Sequence, residues 1–274
     1  MELLSEYGLF LAKIATVVVA IVVVAILIVN LTQRKRQRGE LRVTRMSEQY
    51  KEMQEEMAVA LLDSQQQKLW HKAQKKKAKQ DAKAAKAKAK SGDTASADKP
   101  RAWVLDFKGS MDAHEVGALR EEITAVLTLV KPEDQVVLRL ESPGGVVHGY
   151  GLAASQLQRL RDKQVPLTVA VDKVAASGGY MMACVADKIV AAPFSIIGSI
   201  GVVAQIPNFN RFLKSKEIDI ELHTAGQFKR TLTLLGENTE EGRQKFRESL
   251  NETHDLFKGF VHQMRPHLDL EQVA

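Results

Sequence analysis

Cysteine is nearly absent from this chain: of 274 residues only Cys184 is one. No intrachain disulfide can form, so the fold must rest on a buried core. No cluster with metal-ligand spacing and no nucleotide-binding loop occurs, so neither metal nor cofactor is expected. Basic excess is also missing where a nucleic-acid domain would need it. Residues 101–274 carry 20 Lys and Arg against 22 Asp and Glu, and the surplus lies in residues 31–100, with 18 against 9. A globular part of near-neutral charge argues against a nucleic-acid partner. Histidines at 114, 148, 223, 254, 262 and 267 have no recognisable catalytic-triad setting.

What the chain does have begins with an apolar run. Gly8 to Asn30 is interrupted only by Lys13 and Thr16. As a helix it would span roughly 34 Å, enough for a hydrocarbon core of about 30 Å. Residues 1–30 are therefore expected to form a single transmembrane anchor that contacts membrane lipid. Arg34, Lys35, Arg36 and Arg38 follow it, while Glu2 and Glu6 precede it. By the positive-inside rule the bulk of the chain is cytoplasmic. Residues 31–100 read as a basic helical segment ending in a flexible linker. Leu41 to Trp70 has no Pro or Gly, Lys72 to Lys90 is rich in Ala and Lys, and Ser91 to Pro100 is polar. Anionic lipid is the expected partner of the basic stretch.

From Arg101 onward strand and helix patterns alternate, which predicts an α/β domain over 101–274 with crossover connections. Ala102–Phe107, Gln135–Leu140 and Pro166–Val171 read as strands, with shorter apolar segments at Lys188–Ala192, Ile197–Val203 and Ile218–His223. Glu115–Leu129, Tyr150–Lys163 and Asn238–Met264 read as helices. Two strand ends are rich in small residues: Ser142-Pro143-Gly144-Gly145, and Ala176-Ser177-Gly178-Gly179-Tyr180. In a crossover sheet both would reach the same edge, where sites are built. A serine at a strand-to-helix corner projects its hydroxyl beside free helix-start amides. Two converging N–H donors stabilise a developing oxyanion. A serine nucleophile also needs a base. Lys188, Lys214, Lys216 and Lys229 follow Ser177 as candidates, and a lysine can take that role only when desolvated.

These motifs, with Ala186-Asp187-Lys188-Ile189-Val190-Ala191 and Gly198-Ser199-Ile200-Gly201-Val202 in order after them, resemble the membrane-bound Ser-Lys peptidases of the signal peptide peptidase A family. The resemblance covers about Ala102 to Ala274 and extends to the anchor and basic segment. It implies a ClpP/crotonase-like fold of repeated β-β-α units, continuing beyond Ala274, and assembly of copies into a ring. Ser177 corresponds to the nucleophile, Lys229 to the general base and Ser199 to a hydroxyl that orients the lysine. The amides of Gly144 or Gly145 and of Gly178 correspond to the oxyanion hole. The implied activity is serine-type endopeptidase cleavage of peptides and membrane-associated or signal-peptide-like substrates. The implied site is the bacterial inner membrane, with the catalytic domain periplasmic, opposite to the placement by charge. Three rivals are weighed: an acyl-CoA enzyme using Glu141, a non-catalytic membrane scaffold, and a Ser-His-Asp peptidase using His223.

Overall fold

The computed structural model describes residues 13–24, 41–90, 99–226 and 228–273. Helix α1 occupies residues 13–24, within the predicted anchor; the rest of that anchor lies outside the described residues. Among the described residues no helix is long and apolar enough to cross a membrane. Glu40–Pro100 forms a unit of its own, and Arg101–Ala274 belongs to a second. The first holds two helices, α2 (Met46–Ala60) and α3 (Ser64–Lys90).

The second unit is built on parallel strands. β1 (Ala102–Lys108) is followed by α4 (Val116–Leu129), β2 (Gln135–Glu141), α5 (Val147–Asp162) and β3 (Leu167–Val171). Next come β4 (Val174–Ala176), α6 (Gly178–Ala183), β5 (Lys188–Ala191), β6 (Ile196–Gly198), α7 (Asn210–Lys214), α8 (Glu240–Met264) and α9 (Leu270–Val273). The main sheet has the order β1-β2-β3-β5, all parallel. Each new strand adds on the same side, so connections of one hand put every crossover helix on one face. Burial follows that logic. Val136, Leu138 and Leu140 of β2 and Leu167, Val169 and Val171 of β3 are buried, while their alternate neighbours are not. The covered face packs on α4 through Val116, Leu119, Ile123 and Val126, and on α5 through Tyr150, Ala153, Leu157 and Leu160. The helical spacing of both sets is 3 or 4 residues, which is why they form one stripe.

A second sheet creates the corner. β4 pairs in parallel with β6, and a bridge from Ser142 to Ala175 ties the end of β2 to β4. Ser142 donates its N–H to Val174 O at 2.9 Å, and Ala176 N–H donates to Ser142 O at 3.0 Å. The two small-residue loops are thereby stitched side by side.

Two expected strands are shorter or missing. Of Ile197–Val203 only the start is strand, within β6, and Ile218–His223 is irregular. The alternation of Ile218, Ile220 and Leu222 fits a strand, but no described strand lies beside it to complete a ladder. Ile218, Ile220, Leu222, Val203, Phe212 and Phe228 are all exposed instead.

Candidate active site

Ser177 sits between β4 and α6 with φ 52° and ψ −118°. A residue other than glycine in that region is strained by about 1–3 kcal/mol, and the surroundings must enforce it. They do so by taking both backbone groups. The Ser177 N–H donates to Gly198 O at 2.8 Å, and Met181 N–H donates to Ser177 O at 2.9 Å. The hydroxyl has no partner among the described residues, and the residue is half-buried. It faces a small cleft shared with Gly145 and Gly178, walled by Val147, Met181, Val202, Thr253 and Phe257.

The loops leave room only for glycine. A Cβ on Gly144, whose φ is +90°, would stand 2.7 Å from Ser177 Cβ and from Gly178 N. A Cβ on Gly178 would lie 2.4 Å from the Tyr150 ring, and one on Gly145 would lie 2.0 Å from Met111 O. As the first residue of α6, Gly178 has an N–H with no intrahelical acceptor. Of the three amides expected for an oxyanion hole, one is committed elsewhere. Gly144 N–H is already used, donating to Ser142 Oγ at 3.1 Å. Gly145 and Gly178 line the cleft and are the amides that remain.

Behind this loop runs a buried relay whose polarity can be counted. Tyr150 has one hydroxyl proton, and it goes to Ser110 O at 2.7 Å. The 2.6 Å contact between Ser142 Oγ and Tyr150 Oη must then use the proton of Ser142. That leaves a lone pair of Ser142 Oγ to receive Gly144 N–H. Ser142 and Tyr150 are both fully buried, and burial pushes the Tyr150 phenol above its usual range. Ser142→Ala removes the acceptor and frees the Pro143–Gly144 peptide, so that the Gly145 amide that follows it can shift. If the Gly145 amide serves as an oxyanion donor, the expected outcome is a fall in kcat of about tenfold to a hundredfold with KM changed less, because that donor is misplaced. Steady-state kinetics on purified protein decides it, and equal kcat would show that the relay does not position the loop.

A cluster next to the relay looks superficially like a triad. Ser110 Oγ and Asp112 Oδ1 both contact Nδ1 of His114, at 2.8 and 3.0 Å, while Nε2 faces Glu115 at 3.2 Å. A triad needs its serine and its acid on opposite ring nitrogens. Asp112 here shares Nδ1 with the serine, and the Ser110 hydroxyl also contacts Asp112 Oδ1 and Glu115 Oε2 at 2.7 and 2.8 Å, so the cluster clamps the loop after β1 instead. The bonds from His114 and Ser110 hold the Asp112 carboxyl down at about 2.

The other candidates separate clearly. Ser199, with φ 56°, is exposed and directly follows Gly198, whose carbonyl holds Ser177. Lys229 is exposed, beyond Gly226, with its N–H donating to Gly226 O at 3.3 Å. It does not line the Ser177 cleft, and no hydrogen bond among the described residues joins it to Ser177 or Ser199. Glu141 faces Lys108 and Lys173 at 3.5 and 3.4 Å. Burial acts to raise its pKa, but those two lysines outweigh it and hold the carboxyl below its usual range. His223 is exposed beside Glu221. His254 is spent on a bond from Nε2 to Ile200 O at 3.1 Å. Cys184 is no rival nucleophile, because burial pushes its thiol up to about 12. Sequence reasoning missed the cleft walls Thr253 and Phe257. The apolar stripe Phe257, Val261 and Met264 marks a buried face of α8, without saying what it covers.

Comparison with known proteins fits this geometry to a class. Residues 2–157 match Peptidase family S49 N-terminal, and residues 159–274 match Peptidase family S49. The chain belongs to peptidase family S49. Within that family it is similar to a "Probable protease SohB" from Haemophilus influenzae, at 54% identity over all of this chain and 78% of the relative. A second "Probable protease SohB", from Buchnera aphidicola subsp. Schlechtendalia chinensis, is 50% identical over all of this chain and 90% of the relative. A solved structure, the 1510-N membrane protease specific for a stomatin homolog from Pyrococcus horikoshii, aligns with a TM-score of 0.31 and 22% identity. It covers 43% of this chain and 56% of its own, a likeness too slight to bear on the site.

Proposed function

We propose that this protein is a membrane-anchored serine endopeptidase that works through Ser177 and Lys229. One observation carries the proposal: the strained corner at Ser177, with its hydroxyl uncommitted and the residue sharing a cleft with Gly145 and Gly178. Ser177 Oγ attacks the peptide carbonyl carbon as its proton passes to neutral Lys229. The carbonyl oxygen becomes an oxyanion held by the two amides. The C–N bond then breaks and the lysine returns its proton to the leaving amine. Water, deprotonated by the same lysine, releases the acyl group and regenerates the serine. Ser199 orients the lysine in this scheme. The apolar walls Val147, Met181, Val202 and Phe257 favour apolar side chains on the substrate, which suits signal-peptide-like and membrane-associated peptides.

The lysine requires a covering surface. A lysine acts as a base only when burial keeps it neutral, and Lys229 is exposed in the single chain. Exposed apolar residues between Val203 and Leu235, and an open sheet edge at β5, are surfaces that seek partners. We place Lys229 beside Ser177 of a neighbouring copy, in a homo-oligomeric ring built on a ClpP/crotonase-like fold. The apolar run at 8–30 serves as a single-pass anchor in the inner membrane. The catalytic domain sits on the periplasmic side, since large domains override the charge rule.

Hydrolysis of a mixed fluorogenic peptide pool by the detergent-solubilised full chain tests the function. Ser177→Ala is expected to lower it at least about a thousandfold with unchanged folding by circular dichroism. Equal hydrolysis by both proteins would remove Ser177 from the chemistry and return the scaffold reading.

A further inference from the structure

Helix α3 carries a pattern that peptide hydrolysis does not use. At 3.6 residues per turn, Lys68, Lys72, Lys75, Lys76, Lys79 and Lys83 fall within an arc of about 100°. Lys77 and Asp81, the one acidic residue of this helix, lie on the opposite side. The six lysines are exposed, and none forms an ion pair among the described residues. The stripe is about 22 Å long at about 1.5 Å per residue. In sequence the spacing continues to Lys86 and Lys90. A solvated helix gains nothing from putting like charges three and four apart, where they repel. The arrangement is costly for the helix alone and favourable only against a negative surface.

We propose that the lysine face of α3 docks on a membrane surface of anionic lipid. Charge complementarity selects an extended anionic plane, and position selects lipid over nucleic acid. The helix follows the apolar run at 8–30 and the cluster Arg34, Lys35, Arg36 and Arg38 in the same chain, which would hold it close to headgroups. No aromatic residue is interleaved with the stripe for base stacking, and Trp70 lies on the far side of the helix. The stripe also lacks the large apolar residues that insert between lipids. Binding is therefore electrostatic and reversible by salt. Docking of this kind would fix the direction in which the segment between anchor and protease domain leaves the membrane. It is independent of the assignment of Ser177 and Lys229.

The test is an amine-acetylation footprint, read by mass spectrometry, on the full chain in nanodiscs. The discs are phosphatidylcholine alone, or phosphatidylcholine with about a quarter phosphatidylglycerol. Anionic discs are expected to slow acetylation of Lys68, Lys72, Lys75, Lys79 and Lys83 by roughly fivefold relative to neutral discs. Lys77, on the other face, should be unchanged, and high salt should erase the difference. The variant Lys72→Gln, Lys75→Gln, Lys79→Gln, Lys83→Gln should lose the phosphatidylglycerol-dependent protection of Lys68, whereas Lys77→Gln should keep it. Protection that ignores lipid charge, or that covers Lys77 equally, overturns the proposal. So does protection by added duplex DNA without any by phosphatidylglycerol, which would make the stripe a nucleic-acid surface.

Discussion

Lys229→Ala is expected to lower peptide hydrolysis at least about a thousandfold, and mixing it with Ser177→Ala is expected to restore part of the activity. Each variant alone lacks one half of the proposed dyad. In the proposed ring, a mixed assembly would bring a copy with Ser177 intact against a neighbour with Lys229 intact at some of the junctions. The expectation follows from the exposure of Lys229 in a stretch that contributes nothing to the Ser177 cleft within its own chain. The measurement is hydrolysis by the two inactive proteins after they are dissociated, mixed and reassembled. Recovery to roughly a quarter of the unmodified rate would accord with random pairing of neighbours in a ring. Absence of recovery would place the base in the same chain as the nucleophile. Full activity in Lys229→Ala alone would move the base elsewhere and return the Ser-His reading, with His223 the next residue to substitute.

The second large effect belongs to a glycine. Gly144→Ala puts a methyl group 2.7 Å from Ala176 O, Gly178 N and Ser177 Cβ, at a φ of +90° that an alanine resists. Two of those three atoms are backbone, so the clash cannot be relieved by turning a side chain. Ser177 or the Ser142–Gly145 loop must move instead. A shift of about 1 Å at the proposed nucleophile can cost about a hundredfold in rate, and positive φ adds about 1–2 kcal/mol of strain. Activity should therefore fall by at least about a hundredfold, and the thermal midpoint should drop by several degrees. Gly151→Ala provides the control. It lies on α5 with open space at its Cβ, and helix propensity there favours alanine. Activity should be unchanged in that variant. A Gly144→Ala protein with full activity would mean that the loop is looser than its contacts imply.

Most of the framework could be read from the residues. β1, β2 and β3 are runs whose alternate side chains are apolar, and a period of two is enough to identify a half-buried strand. The segment around Ser177 alone fits an ordinary small-residue turn, and it stood out only together with the Ser142–Gly145 loop and the motifs that follow it in order. What stayed hidden depends on contacts between distant parts of the chain. Ser142 belongs to a small-residue strand end, and nothing local shows that its hydroxyl donates to Tyr150 Oη while accepting from Gly144 N–H. Tyr150 in turn owes its polarity to Ser110, 40 residues earlier. Neither link leaves a trace in local composition. Ile218–His223 shows the opposite failure: the alternation was present, and the neighbouring strand was not. Lys229 shows the same limit for chemistry. A spacing along the chain does not encode which serine a lysine will face.

The central claim is that Ser177 is the nucleophile, and a fluorophosphonate that traps activated serines tests it most directly. The full chain is treated with the reagent, digested, and the modified peptide identified by mass spectrometry. The predicted result is one adduct on Ser177, lost in Ser177→Ala, with hydrolysis falling in step with labelling. Hydrolysis that survives full modification of Ser177, or inactivation by an adduct on a different residue, would contradict it.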